Sequence, residues 1–442
     1  MDYLSSDKIA IVDLATSEVY EEELDEDLVM DRIGGVGITT HLFERFREDE
    51  PIVFGTGLLT GTLVPGSSLG IITAMNPTTG GVCHAPFCQY AAMEMKYAGF
   101  DYVVVKGTSE KPAYLWLHDG IADIQDASDY WSKTPWELTD LQTGLRKEFG
   151  DELLQMLTIG QAGEDGSDIA QIMVNCWSSG DRWGFGKVMG EKRLKAIAVR
   201  GMGLFEVADP EGFVNICLEL ISAIKTDGLL AGKKGCIEFP ALLGEEDIIE
   251  WISPLVHRHS SCFNTPYPTN TFVKYNEDPK ILKETSVEEP GFLITDIYGL
   301  LGFKNMGLSA EAACRMLDAC TRYGVDPAAA SAALKDSGKM DLEDLKKELP
   351  NLKRPQAHDT SKFSPWSPPS PLFADFGLPA DGSKDAQWWE RRQAVSYVFG
   401  IHPIFSLMVP QLTEEKLIEL VNIGADLSVT AEVLDKVIAD VC

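Results

Sequence analysis

GTGLLTGTLVPGSSLGIITAMNPTTGG, residues Gly55–Gly81, contains no ionisable side chain in a chain that is 24% charged. Its first half is a run of turn formers: four glycines, a proline and a Ser-Ser pair. Its second half, LGIITAM, is a short apolar strand closed by the turn sequence NPTTGG. Upstream lies a second strand signal, PIVFGTG, and further out come KIAIVDL, DYVVVKG, AYLWLHDG and LKAIAVRG. Between them, AAMEMKYAGF offers an imperfect apolar helical face at Ala92, Met95 and Tyr97 before a Gly99 stop. From Ile9 to Gly201 the chain therefore reads as β-rich with a few helices.

After about residue 208 the period changes from two to 3.6. SAEAACRMLDACTRYGVDP has a Ser309 cap, an apolar stripe at Ala313, Met316, Leu317 and Cys320, and terminators at Gly324 and Pro327. Residues 354–383 are rich in proline and read as a linker or long crossing loop. Beyond them WERRQAVSYVFG and TEEKLIELVNIG are helical again, the latter with Leu417, Leu420 and Val421 on one side. The expected fold class is α+β, with a β-rich domain over 1–207, a helical domain over 208–345, and a Pro-rich linker with a shortened helical domain over 346–442.

The net charge of −30 over 442 residues argues against nucleic acid or anionic lipid as a partner, because a polyanion is repelled by both. No stretch approaches the roughly 20 apolar residues of a membrane span. The N-terminus MDYLSSDKIAIVDL fits neither a signal peptide nor a transit sequence. Nine cysteines in such a chain read as reduced thiols or ligands, which makes the cytoplasm the default location.

Three stretches taken together, RIGGVGITTHLFERF (Arg32–Phe46), Gly55–Gly81 and GFGKVMGEKRLKAIAVRG (Gly184–Gly201), resemble the N-terminal domain of the tungsten-containing aldehyde ferredoxin oxidoreductases. The flanking MEMKYAGFDYVVVKG and YLWLHDGIADIQDASDYW resemble it too, over about 200 residues, and the likeness continues more faintly to the C-terminus. The resemblance implies a pterin-binding-type β-rich base carrying two pterins on one tungsten, with two mainly helical domains closing over it.

The family's cofactor residues fare less well. Its cluster pattern resembles C-x-x-C-x-x-x-C, with a fourth cysteine in D-x-x-G-L-C. In this chain the first pattern keeps only Cys262, with Thr265 and Thr269 at the next positions. The second falls on YVFGIH, with Tyr397 for the acid and His402 for the thiolate. One thiolate and one imidazole are too few for a four-iron cluster. The pterin pattern D-x-x-G-L-D is assigned to GLLGFK, where Gly299 and Lys304 replace both acids and leave ring donors unpaired. The loop whose Asn and paired glycines approach the cofactor reads VCHAPFCQY, with Pro86, Cys88 and Gln89 in their places. Only Arg182 keeps a charge where the family contacts phosphate, and the small residue after it is Trp183. The family's acidic motif has no counterpart in the stretch holding Glu284, Glu288 and Glu289, and His358 lies in the Pro-rich segment.

Three readings follow. The first is a relative without cluster or tungstopterin, serving as a structural or regulatory subunit that pairs with itself, an active paralogue or another redox subunit. Its vacated pocket would then be filled by Pro86, Cys88, Gln89, Trp183 and Lys304. The second is a tungstopterin enzyme converting aldehyde to carboxylate through altered contacts. The third is a binding protein, either with a soft metal on Cys83, His84 and Cys88, with Cys262 or His257 and His259 completing it, or with a small anion on Arg182 and the glycine loops. For Cys176, Cys217, Cys236 and Cys314, core packing is the expectation.

Overall fold

The computed structural model describes residues 1–138, 141–142, 144–145, 153–226, 237–238, 247–275, 291–335, 337–339, 341–353, 386–402 and 409–442. The Pro-rich 354–383 segment, His358, Glu284, Glu288, Glu289 and Cys236 lie outside them. Two six-stranded sheets form the base. The first has the spatial order β2 (Glu18–Glu23), β1 (Lys8–Asp13), β6 (Tyr102–Lys106), β3 (Ile52–Thr56), β4 (Gly70–Met75), β5 (Val82–Phe87). The second runs β11 (Trp177–Ser178), β10 (Ile172–Val174), β9 (Gln155–Ile159), β12 (Leu194–Arg200), β7 (Ala113–His118), β8 (Ile121–Asp126). β1 pairs with β6, and β12 with β7, in parallel; the other pairings in these two sheets are antiparallel.

Apart from its exposed edge strand β2, the first sheet is buried on both faces, which explains why β1, β6, β3 and β4 read as apolar runs. Ala10, Val12, Phe54, Val103 and Val105 point into a core shared with Leu115, Leu157 and Ile197 of the second sheet. Their neighbours Ile9, Ile11, Val53 and Val104 point the other way, as period-two alternation requires. That outer face is covered by α1 (Glu26–Arg32), α2 (Val36–Arg45) and the C-terminal helices described below. Three further short helices serve the base: α3 (Ala91–Tyr97), α4 (Gln161–Glu164) and α5 (Phe185–Glu191).

The helical half comprises α6 (Pro210–Thr226), α7 (Ile248–Ile252), α8 (Ile297–Asn305), α9 (Ala310–Tyr323), α10 (Pro327–Lys335), α11 (Leu342–Glu348), α12 (Ala386–Phe399), α13 (Glu414–Ala425) and α14 (Ala431–Val441). A small antiparallel sheet of β13 (Val256–Ser260), β14 (Asn270–Lys274) and β15 (Gly291–Ile294) sits among them. The fold is thus α+β, β-rich first and mainly helical after. α9 begins and ends where its caps predict: the Ser309 hydroxyl accepts from the Ala312 amide, and Gly324 turns left-handed at φ 88°.

The cores divide the helices differently from a cut at residue 208. Phe213, Cys217, Leu220 and Ile224 of α6 join the C-terminal helices on the first sheet. Leu345, Leu349 and Leu352 stay with α8–α11 around the third sheet. The C-terminal turn seats itself on the base through glycines. A Cβ at Gly35 would lie 1.9 Å from the Tyr397 carbonyl oxygen, and one at Gly57 would lie 2.3 Å from the Gly400 nitrogen. Among the described residues no helix is long and apolar enough to cross a membrane.

Candidate functional site

The Gly55–Gly81 loop is where a cofactor's phosphates would meet backbone donors, so the destination of each amide decides what the loop can still receive. Gly57 donates to Thr60 Oγ1, Gly61 to the Ser67 carbonyl, Gly66 to the Asn264 carbonyl, and Leu59 and Leu69 to the carbonyls of Phe399 and Gly400. Thr60, Thr62, Ser67 and Ser68 close turns within the loop, and Val64 donates to Thr62 Oγ1. These amides are taken up by the loop itself and by the two segments folded onto it, while the buried Ser68 hydroxyl has no hydrogen-bond partner among the described residues.

Arg182 is buried, and its guanidinium makes a forked pair with Asp296 at 2.8 Å on each arm while also touching Asp326. The Tyr298 ring lies 5.3 Å from its charge. Burial alone would lower the guanidinium, but Asp296 and Asp326 raise it further above its ordinary value. Burial likewise pushes the Asp296 carboxyl up, and Arg182, the Gly299 amide and Ser178 together bring it below the usual carboxylate range. Asp181 does the same service at the N-terminus of α5, accepting from the Trp183 and Phe185 amides at 2.8 and 3.0 Å. Arg182 and the N-terminus of α5 thus find carboxylate partners within the protein, Asp296 and Asp326 for the first and Asp181 for the second.

Asp296 was missed in the sequence, where the pterin-type acidic pattern was placed on GLLGFK. The pattern fits DIYGLL better, with Asp296 at the first acid, Gly299-Leu300 in the middle and Leu301 at the second acid. The signal was available, because Asp296 is also the N-cap of α8 and accepts from Gly299 N at 3.0 Å. Lys304 lies a turn further on and pairs with Asp247 at 3.0 Å.

The loop carrying Cys262 connects β13 and β14, and it brings the three family ligand positions together. Thr269 Oγ1 donates to Cys262 Sγ at 3.1 Å, and Thr265 Oγ1 donates to the Cys262 carbonyl at 2.8 Å. The fourth position is near by a two-step link: His402 N donates to the Gly66 carbonyl while Gly66 N donates to the Asn264 carbonyl. Burial lowers the His402 imidazole to about 4. Burial raises the Cys262 thiol against the hydrogen bonds from Thr269, Gln89 and Asn270.

Cys83, His84 and Cys88 do not converge. VCHAPF is strand β5, so consecutive residues face opposite sides. Cys83 packs in the core between the sheets, accepting from Asn76 Nδ2 at 3.8 Å. His84 faces the other way, with Nδ1 3.0 Å from Thr73 Oγ1, and burial pushes it down to about 3. Cys88 lies beyond the strand against the outer core, and burial raises its thiol, with Cys262 adding to the effect. Among the described residues no three His, Cys, Asp or Glu side chains are placed to hold a metal. Trp183 packs between the sheets and its indole N–H donates to the His84 carbonyl at 2.9 Å. Gln89 keeps a left-handed φ of 64°, the backbone of a glycine position, with a side chain in place. Pro86 reaches toward Gly180, whose Cβ position would lie 3.4 Å from its ring. Cys176, Cys217 and Cys314 are buried in cores, and burial pushes Cys217 up to about 12.

Two packed sheets closed by helices make up the base on which these residues sit. Residues 9–201 match the model of the aldehyde ferredoxin oxidoreductase N-terminal domain. A tungsten-containing aldehyde ferredoxin oxidoreductase of Pyrococcus abyssi is 35% identical over 233 residues, 51% of this chain and 38% of that protein. The aliphatic sulfonate oxidoreductase, WOR-like subunit, of Pyrococcus furiosus is 31% identical over 233 residues, 47% of this chain and 36% of that protein. The matched stretches thus span less than two fifths of these relatives. The fold likeness reaches further: the active site complex BamBC of benzoyl coenzyme A reductase superposes with a TM-score of 0.79 at 18% identity, covering 99% of this chain and 88% of that one.

Proposed function

We propose that this chain is an aldehyde ferredoxin oxidoreductase-like protein without iron–sulfur cluster or tungstopterin, acting in the cytoplasm as a non-catalytic structural or regulatory subunit. The observation that carries the reading is the internal occupation of the anion-receiving groups. Asp296 and Asp326 are paired with Arg182, Asp181 accepts from the first amide of α5, and the amides of Gly57, Leu59, Gly61, Gly66 and Leu69 are bound by the protein. A phosphate-bearing cofactor would have to displace carboxylates already seated in a dry interior, where a buried charge left without its partner costs several kcal/mol. The cluster positions supply one thiolate, two hydroxyls and an imidazole, a donor set that does not suit a four-iron cluster. A subunit role is consistent with the names of a relative and a structural neighbour, one a WOR-like subunit and the other part of a two-component complex.

A second reading, a tungstopterin enzyme with altered contacts, is favoured by the relatives named as tungsten-containing. Metal and acid-labile sulfide analysis of the purified chain separates the two. Substoichiometric tungsten and iron with no visible absorption is the expected result. One tungsten per chain, or four irons with matching sulfide, would overturn the proposal.

A further inference from the structure

We propose that a groove of about 380 Å³ between the base and the helical half is a binding site for a small carboxylate carrying an apolar body the size of a phenyl ring. One wall is the outward face of α9, where Asp318 and Arg322 follow each other at helical spacing, opposite the apolar stripe that enters the core. Thr134, just ahead of Trp136, belongs to the base, while α11 and the turn after it contribute Lys346, Leu349 and Pro350. None of these residues takes part in the Arg182 or Cys262 sites, so the inference holds whether or not the chain carries tungstopterin.

Arg322 is the centre of the site, because its guanidinium is held in place from two directions. Nε donates to Asp318 Oδ1 at 2.9 Å, and the charge centre lies 4.3 Å from the centre of the buried Trp136 ring. One edge and one face are thus fixed, while the two terminal nitrogens bond to no described residue. That outer edge is a two-nitrogen fork, the match for the two oxygens of a carboxylate. Lys346 supplies a second cation, held only by a surface pair with Glu343 at 3.1 Å that an incoming anion can exchange. Two cations meet one carboxylate in this lining, although the chain as a whole carries −30. The rest of the lining decides the body of the ligand. It is mostly apolar surface, with Ala319, Tyr323, Leu349 and Pro350 in it, which an inorganic anion would leave wet and a phenyl ring would cover.

Isothermal titration calorimetry of the full chain with sodium phenylacetate, in low-salt buffer near neutral pH, tests this. One site with a dissociation constant of about 1 mM or tighter is expected. Phenylacetamide has the same body without the charge, and inorganic phosphate has the charge without the body; each should bind roughly tenfold more weakly or worse. Arg322→Met should weaken phenylacetate roughly tenfold or more, and Lys346→Met should weaken it a few-fold. The lysine variant touches only a surface pair, so it keeps the test decisive if the arginine variant does not fold, which circular dichroism will show. Arg47→Met, at another exposed arginine paired with Glu44, should leave binding unchanged. No binding of phenylacetate, equal binding of the amide or of phosphate, or binding that a folded Arg322→Met or Lys346→Met retains in full would overturn the proposal.

Discussion

At the scale of single residues, Arg182, which the resemblance assigns to a phosphate contact, is paired within the protein. Its two aspartates are buried with it, so removing the guanidinium leaves two carboxylates without a countercharge in the interior. Arg182→Ala should cost about 3–5 kcal/mol of stability by urea unfolding. A site that normally held an external anion would instead lose little without its ligand, and a near-neutral result would contradict the pairing. His84 makes a second case. Its folded-state value of about 3 is depressed below the ordinary 6.5, so the unfolded chain binds the proton first as pH falls. Its stabilising contribution is complete above about 6.5 and is lost progressively as pH falls toward 3. Between pH 7 and pH 5 this amounts to about 2 kcal/mol, and His84→Gln should flatten that part of the stability profile. A variant as acid-sensitive as the wild type would show that the imidazole is not held neutral.

At the scale of elements, apolar periodicity was enough to find β1, β3, β4, β6, β7, β12 and α9, because both sheet faces and the stripe of α9 are buried. It failed at β5 and β13. VCHAPF and VHRHS carry polar or cyclic residues at strand positions, and taking VCHAPF as a loop made Cys83 and His84 look like neighbours on one side. The acidic pattern was misplaced for a related reason: GLL occurs inside the helix that Asp296 caps, so spacing alone allowed two registers. What sequence could not show at all is that Gly35 and Gly57 exist to admit another part of the chain. Gly57→Ala would push a methyl into the Phe399–Gly400 backbone, which has no free rotamer to yield, and should lower the melting temperature severely. Gly80→Ala is the matched comparison. At φ 71° it bears backbone strain of about 1–2 kcal/mol, with nothing within 4 Å of the new carbon. Equal losses at the two positions would mean that the 397–400 turn is not seated as described.

At the scale of the whole molecule, the base, the helical half and the C-terminal turn meet beside Cys262, and the resemblance assigns cluster-ligand positions to Cys262, Thr265, Thr269 and His402. Cys262, Thr265 and Thr269 hydrogen-bond within one hairpin connection, and His402 reaches the same loop through Gly66 and Asn264. Convergence of four separate positions is a property of the backbone and the domain packing, while thiolate content is a property of three side chains. The two can be separated. Replacing Thr265, Thr269 and His402 by cysteine restores four thiols on an unaltered backbone, each substitution being close in size or smaller. Anaerobic reconstitution of this triple variant with iron and sulfide is expected to give a visible absorption band and about four irons per chain, while the wild type treated identically gives neither. Uptake would establish that the hairpin is a cluster loop disarmed by substitution. If the folded triple variant remains colourless and iron-free, the Thr269–Cys262 contact at 3.1 Å is the native packing of a closed loop, and the likeness of its spacing to a ligand pattern carries no history.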